Sequence, residues 1–196
     1  MKYAWSKSKQ KKGTETKAVL DPAKGLKYLF INELRDILWS EKALIKAFPK
    51  IITNAQSPEF INAVSDHLET TIAQHARIEG LFASLGVRGA AKKCDTIDWL
   101  IREIEQVIEH TPEGIVRDAG LISIAQKIAH YEIASYGILY AFAELLGETE
   151  TAALLEKTLK EEKEADEVLT SIAKSDISLE LSYTYMDERN YKRRSA

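Results

Sequence analysis

The sequence is short of several things, and each shortage excludes a class of protein. One cysteine, Cys94, stands among 196 residues. No internal disulfide can form, so a cystine-stapled secreted fold is excluded and a reducing compartment is expected. Four prolines and nine glycines are too few for the closely spaced turns of an all-β chain. No apolar run approaches the roughly 18 residues that cross a membrane. Residues 1–17 are rich in Lys and Ser and hold no apolar stretch of the kind a secretory signal needs. Neither sign of charge dominates. Lys and Arg number 27 against 30 Asp and Glu, a net charge of -3, which is no field for holding a polyanion. The expectation is one cytoplasmic domain with no membrane or nucleic-acid partner, long enough to bury a real core.

What is present is helical periodicity. Residues 1–20 are expected to form a flexible basic tail. Asp21-Pro22 then gives a helix start, an N-cap carboxylate followed by proline at the first position. Phe30, Leu34, Ile37, Leu44, Ile45 and Phe48 carry an apolar stripe to about Asn54, with Pro49 placed to bend its end. Ser57-Pro58-Glu59 repeats the start signal. The second helix carries Phe60, Val64, Leu68, Ile78, Phe82 and Leu85, and Gly86 and Gly89 end it. Thr96 to His110 is a shorter amphipathic helix with Ile97, Leu100, Ile101, Ile104 and Ile108 on one side. Thr111-Pro112 is expected to open the next helix, which runs to Leu146 and stops at Gly147. Thr149 is expected to cap the last, which reaches about Lys174. Residues 176–196 are read as a C-terminal tail.

The order of these helices fixes a fold. The first two are joined by a short loop and lie antiparallel, and so do the last two. The segment between the pairs is long enough to run the length of the bundle and return. One long crossover is the ferritin-like connection. The chain is therefore expected to be all-α: a ferritin-like four-helix bundle over residues 21–175, with an extra helix on its crossover.

Ionisable side chains on a buried helix face are costly unless paired or bound to metal. Placed at about 100° per residue, Glu41 falls inside the stripe of the first helix, and Glu33 at its flank. His67, Thr71 and His75 share the stripe of the second, Glu132 that of the fourth, and Glu162 and Asp166 that of the fifth. Glu41, His67, Thr71, Glu132, Glu162 and Asp166 fall at similar heights, and Glu33 and His75 lie one to two turns away. The expectation is a central polar layer fed by all four bundle helices. Iron and manganese take carboxylates and imidazoles, and a bridging carboxylate holds two ions close together. Di-iron bundles use Glu from two helices and Glu-x-x-His pairs from the others. This chain only approximates that pattern, because neither His67 nor His75 has an inward Glu three residues before it. Blander readings stand beside these. Thr71 is expected to bond back to its own helix, Tyr131, Tyr136 and Tyr140 to pack, and the Lys/Glu run from Glu156 to Glu167 to form a solvated face.

Four stretches carry a family resemblance: Leu29–Ala47 (LFINELRDILWSEKALIKA), His67–Glu79 (HLETTIAQHARIE), Ala129–Gly137 (AHYEIASYG) and Leu145–Leu169 (LLGETETAALLEKTLKEEKEADEVL). They resemble the YciE/YciF family. The resemblance covers roughly residues 25–175. It implies a ferritin-like bundle, often a homodimer, associated with bacterial stress responses, with core acidic and histidine positions at Glu41, His67, Glu132, Glu162 and Asp166. Ala129 stands where many relatives are expected to carry an acidic residue, and Gln74 and His75 differ in which carries the imidazole.

Two functions compete. In the first, a di-iron or di-manganese centre held by Glu41, His67, Glu132, Glu162 and Asp166, with His75 and Glu33 as further ligands, reacts with peroxide or oxygen. In the second, a non-catalytic homodimeric stress protein keeps a vestigial metal site. The apolar side of the crossover helix, with Trp99 in it, is read as the dimer surface. Iron storage in a shell is disfavoured by the crossover helix.

Overall fold

The computed structural model describes residues 21–177. The two tails expected at residues 1–20 and beyond 177 lie outside the described residues. Among those described there are five α-helices and no strand: α1 (Pro22–Asn54), α2 (Pro58–Ser84), α3 (Asp95–His110), α4 (Ile115–Leu146) and α5 (Thr149–Ile172). A wide helical turn over Ala173–Ile177 follows. None of these helices is long and apolar enough to cross a membrane.

The ends follow from local chemistry. The Asp21 carboxylate accepts from Ala23 N–H at 3.1 Å with Pro22 behind it, and Ser57 Oγ accepts from Phe60 N–H ahead of α2. Gly86 and Gly147 take left-handed backbone at φ 63° and 72°. Each stops its helix with the paired 5→2 and 6→1 hydrogen bonds, Gly147 N–H to Glu144 O and Glu148 N–H to Ala143 O in the second case. That turn leads directly into α5, so Thr149 is its first residue and not its cap. The start expected at Thr111-Pro112 also differs. Gly114 at φ 122° holds residues 111–114 out of helical geometry, and α4 begins at Ile115. Pro49 lies inside α1, which continues to Asn54.

The four long helices close a ring in the order α1, α2, α5, α4, and α3 packs across α4 and α1. Two apolar clusters fill this frame. One joins Leu44, Phe48, Ile51, Phe60, Val64, Ile97, Ile104, Leu121, Ile128 and Leu169. The other joins Phe30, Leu34, Ile37, Ile78, Leu81, Phe82, Tyr136, Leu139 and Leu155. On every bundle helix a buried polar segment separates the two: Glu41 on α1, His67, Thr71 and Gln74 on α2, Glu132 on α4, Thr158 and Glu162 on α5. The apolar side of α3 is covered by the bundle, with Ile97 and Ile104 fully buried. Trp99 faces outward at 62% exposure beneath the Arg102 guanidinium, 5.0 Å from its ring. Of the surface expected on α3 for a second copy, Ile97 and Ile104 are used within the chain, Leu100 and Ile108 are half-buried, and Trp99 stays exposed.

Candidate metal centre

The polar layer gathers because each contributor occupies an inward register of its helix. His67, Thr71, Gln74, Ile78 and Leu81 follow one another at spacings of three and four along α2, and all are buried. The His67 ring packs on Phe48 with centroids 4.9 Å apart. Its Nε2 lies 3.1 Å from Glu162 Oε2 and 3.9 Å from Glu132 Oε2. One ligand atom from each of His67, Glu132 and Glu162 falls within 4.8 Å of the others. Among the described residues this is the one such group of three His, Cys, Asp or Glu side chains.

A second set of residues holds these in place. Gln74 Nε2 donates to Glu162 Oε1 at 2.7 Å and to Glu161 Oε2 at 3.2 Å. Glu161 is in turn gripped by Arg77 through two hydrogen bonds of 2.8 and 3.0 Å. Burial works to raise the Glu161 carboxyl, but the bonds from Arg77 and Gln74 outweigh it and hold it low. The Tyr136 hydroxyl donates to Glu41 Oε1.

The electrostatics are lopsided. Burial pushes Glu132 well above the usual carboxylate range, and the nearby charges of Glu162 and Glu41 push it further. Glu41 is also raised, first by burial and then by Glu162, against the lowering effect of Tyr136. Burial and the Glu41 charge likewise raise the Tyr136 hydroxyl. Both Glu132 oxygens, Glu41 Oε2 and Gln74 Oε1 are buried without a hydrogen-bond partner. A bare buried carboxyl costs a few kcal/mol, on the order of the penalty for any unmade buried hydrogen bond to a charged group. A divalent cation on the Glu132 oxygens would offset that cost there, so the group of His67, Glu132 and Glu162 fits one.

The expected site residues divide accordingly. His67, Glu132 and Glu162 come together, and Glu41 lies within reach of their charge. Thr71 bonds back to His67 O at 2.8 Å, as expected. Asp166 is half-buried and turns to the exposed His130, 3.5 Å away. His75 faces Glu79 on its own helix at 3.8 Å. Glu33 acts on the α2–α3 linker, where its charge adds to that of Asp36 in raising the Lys92 amine. None of these three joins the cluster. Gln74 is the member the sequence reading left out of the ligand set.

The centre approaches solvent at one described place. His67 is 6% exposed, whereas Glu41, Glu132 and Glu162 are fully covered. The His67 ring edges a groove of about 210 Å³ between α2 and α5, which Asp66, Thr70, Glu161, Glu164 and Val168 also line.

Comparisons with known proteins bear on the family and the fold. The family model described as "Domain of unknown function (DUF892)" matches residues 25–182. The chain is 40% identical over 156 residues to the protein YciF of Escherichia coli, covering 79% of this chain and 94% of that one. The crystal structure of the E. coli stress protein YciF superposes with a TM-score of 0.73 at 41% identity, covering 76% of this chain and 94% of the other. A Rhodopseudomonas palustris protein, YcfI, gives the same TM-score and coverage at 36% identity. A Xanthomonas campestris protein shares the fold at 21% identity, with a TM-score of 0.66 over 83% of this chain and 99% of that one.

Proposed function

The chain belongs to the YciE/YciF family, and from that premise we propose that its polar layer is an iron centre that consumes peroxide or oxygen in a stress response. Manganese is the second choice of metal. The observation that carries the reading is the pair of bare, fully buried oxygens on Glu132 beside His67 and Glu162. His67 Nε2 comes no nearer than 3.9 Å to Glu132 Oε2, and a bound cation would engage these oxygens directly.

His67, Glu132 and Glu162 would hold the ion. Iron, when bound, supplies electrons to the oxidant. The remaining chemistry belongs to the chain. Gln74 fixes Glu162 so that Oε2 is the oxygen beside His67. Phe48 packs against the imidazole and limits its rotation. The apolar clusters above and below keep bulk water from the layer, which strengthens every charge interaction inside it. The groove of about 210 Å³ beside His67 has room for a small oxidant such as oxygen or hydrogen peroxide.

The test is anaerobic Fe(II) loading followed by peroxide, with metal content and absorbance measured. Bound iron with a spectral change on oxidation supports the reading. Uptake without oxidation by peroxide or oxygen would leave the non-catalytic stress protein, which the single imidazole of the cluster favours. Absence of uptake removes the centre. The proposal includes a cytoplasmic setting, which the buried free thiol of Cys94 suits. It also includes a homodimer, and α4 offers Ile138 and Leu145 on its outer face, both exposed. Light scattering in solution decides between one copy and two.

A further inference from the structure

Deepening that reading and resting on it, we propose that Arg77 is a positioning residue for the centre: through Glu161 and Gln74 it sets Glu162 as a one-oxygen ligand, with one oxygen held back and the other turned to His67. The contacts cross the seam between α2 and α5 at every step. Arg77 on α2 grips Glu161 on α5 with two hydrogen bonds of 2.8 and 3.0 Å. Its guanidinium also donates to the buried Thr158 hydroxyl, about one turn earlier on α5. Glu161 Oε2 accepts from Gln74 Nε2, back on α2, at 3.2 Å. The same nitrogen donates to Glu162 Oε1 on α5 at 2.7 Å. Glu162 Oε2 then lies 3.1 Å from His67 Nε2. Arg77 itself stands apart from the cluster, on the wall of a separate cleft of about 650 Å³ that Leu81, Thr151 and Leu154 also line.

The Gln74 amide is where this relay acts. Its nitrogen faces two carboxylates, and its oxygen is left buried with no partner. Turned over, the amide would set that oxygen against Glu161 and Glu162, acceptor against acceptor. Two held carboxylates therefore fix the amide, and the amide fixes Glu162. Glu161 is held because a guanidinium matches both oxygens of a carboxylate at once. The other cation near it, Lys157, is exposed and 3.8 Å away, beyond hydrogen-bond reach, and such a surface pair contributes little. Charge alone makes the opposite prediction. The charge of Arg77 is felt in the layer, where burial raises the Glu41 carboxyl and Arg77, with Tyr136, works against it. Removing a nearby positive charge should tighten a bound cation. The sign of the effect separates positioning from charge.

The experiment titrates Co(II), a redox-stable stand-in for Fe(II), into the full chain, with calorimetry for affinity and visible absorption for coordination. Arg77→Leu should bind Co(II) about tenfold or more weakly than wild type, as loss of a group that orients a ligand does. Its visible bands should lose intensity, because a Glu162 released from Gln74 brings a second oxygen to the ion. Arg77→Lys keeps the charge but not the two-pronged grip, and should follow the leucine variant. Lys157→Ala should match the wild type. Gln74→Leu should weaken binding as Arg77→Leu does, and the two together should be no weaker than Gln74→Leu alone. In metal-free protein the NMR signals of the Gln74 side-chain amide should shift in Arg77→Leu. Circular dichroism identifies any variant that fails to fold, and the folded ones carry the comparison. Unchanged or tighter Co(II) binding in the folded Arg77 variants would overturn the inference while leaving the proposed centre intact, as would full additivity of Arg77→Leu and Gln74→Leu. A wild type that binds no Co(II) overturns both.

Discussion

Replacing Glu132 with leucine should make the metal-free protein more stable, although the substitution removes a side chain at the heart of the proposed centre. Glu132 is fully buried, with neither oxygen hydrogen-bonded. Exchanging a poorly compensated buried ionisable group for an apolar one of similar volume typically returns roughly 1–4 kcal/mol, and imperfect fit takes back up to about 1 kcal/mol. A net gain of about 2 kcal/mol at pH 8 corresponds to roughly 4–8 °C in Tm for a chain of this size. The gain has a definite pH dependence. The folded-state pKa of Glu132 is raised above 4.5, by burial first and then by Glu162 and Glu41. Its contribution to stability is greatest below that value and is lost as pH rises toward the folded pKa. The advantage of the leucine variant should therefore be smallest near pH 4.5 and grow toward pH 8. Urea denaturation of chelator-treated protein across that range measures it. With excess Fe(II) the order should reverse, because ligand at about a hundred times its Kd adds roughly 2.7 kcal/mol to the protein that binds it. A leucine variant less stable than wild type at pH 8 without metal would refute the reasoning, since it would mean that the carboxylate is already satisfied.

Three further outcomes are expected. Asp118→Ala removes an acceptor, 2% exposed, that takes the Gln56 and Ser57 N–H groups at 3.0 and 2.7 Å; it should cost about 2–4 kcal/mol by denaturant titration, and Asp118→Asn should recover part of it. Gly120→Ala places a Cβ 2.8 Å from Val107 Cγ1; it should cost about 1–3 kcal/mol, and adding Val107→Ala should reduce that cost in a double-mutant cycle. Phe48→Ala should lower Tm through a loss of about 3–5 kcal/mol, and it should broaden the NMR signals of the His67 ring that Phe48 packs against.

Most of the architecture could be read from residue order alone, because the helix ends are chemically marked. Asp21-Pro22 and Ser57-Pro58 placed two starts, and Gly86 and Gly147 two stops, at positions where backbone geometry demands those residues. The start of α4 was misplaced because Thr-Pro is also a turn signal, and Gly114 two residues on decides in favour of the turn. The inward polar register was legible for Glu41, His67, Glu132 and Glu162, which all prove buried. It was less so at the margins. Residue 75 lies about 80° around the helix from His67, while residue 74 lies about 20° away. The angle favours Gln74 over His75, and the imidazole of His75 faces Glu79 on its own helix. Asp166 sits about 40° from Glu162 by the same count, enough for its carboxylate to turn toward His130. The covering of α3 could not be foreseen, because an amphipathic stripe does not say whether its own chain or another covers it.

The division of the polar layer between the two hairpins has a consequence for assembly. Glu41, His67 and Gln74 belong to α1 and α2, whereas Glu132 and Glu162 belong to α4 and α5. Between these halves the linker from Arg88 to Lys93 is exposed. A chain nicked in that linker would leave two fragments, each with an incomplete set of donors. An ion drawn to both would act as a clasp between them, so fragment complementation that strengthens on adding metal would report on the docking of one hairpin to the other.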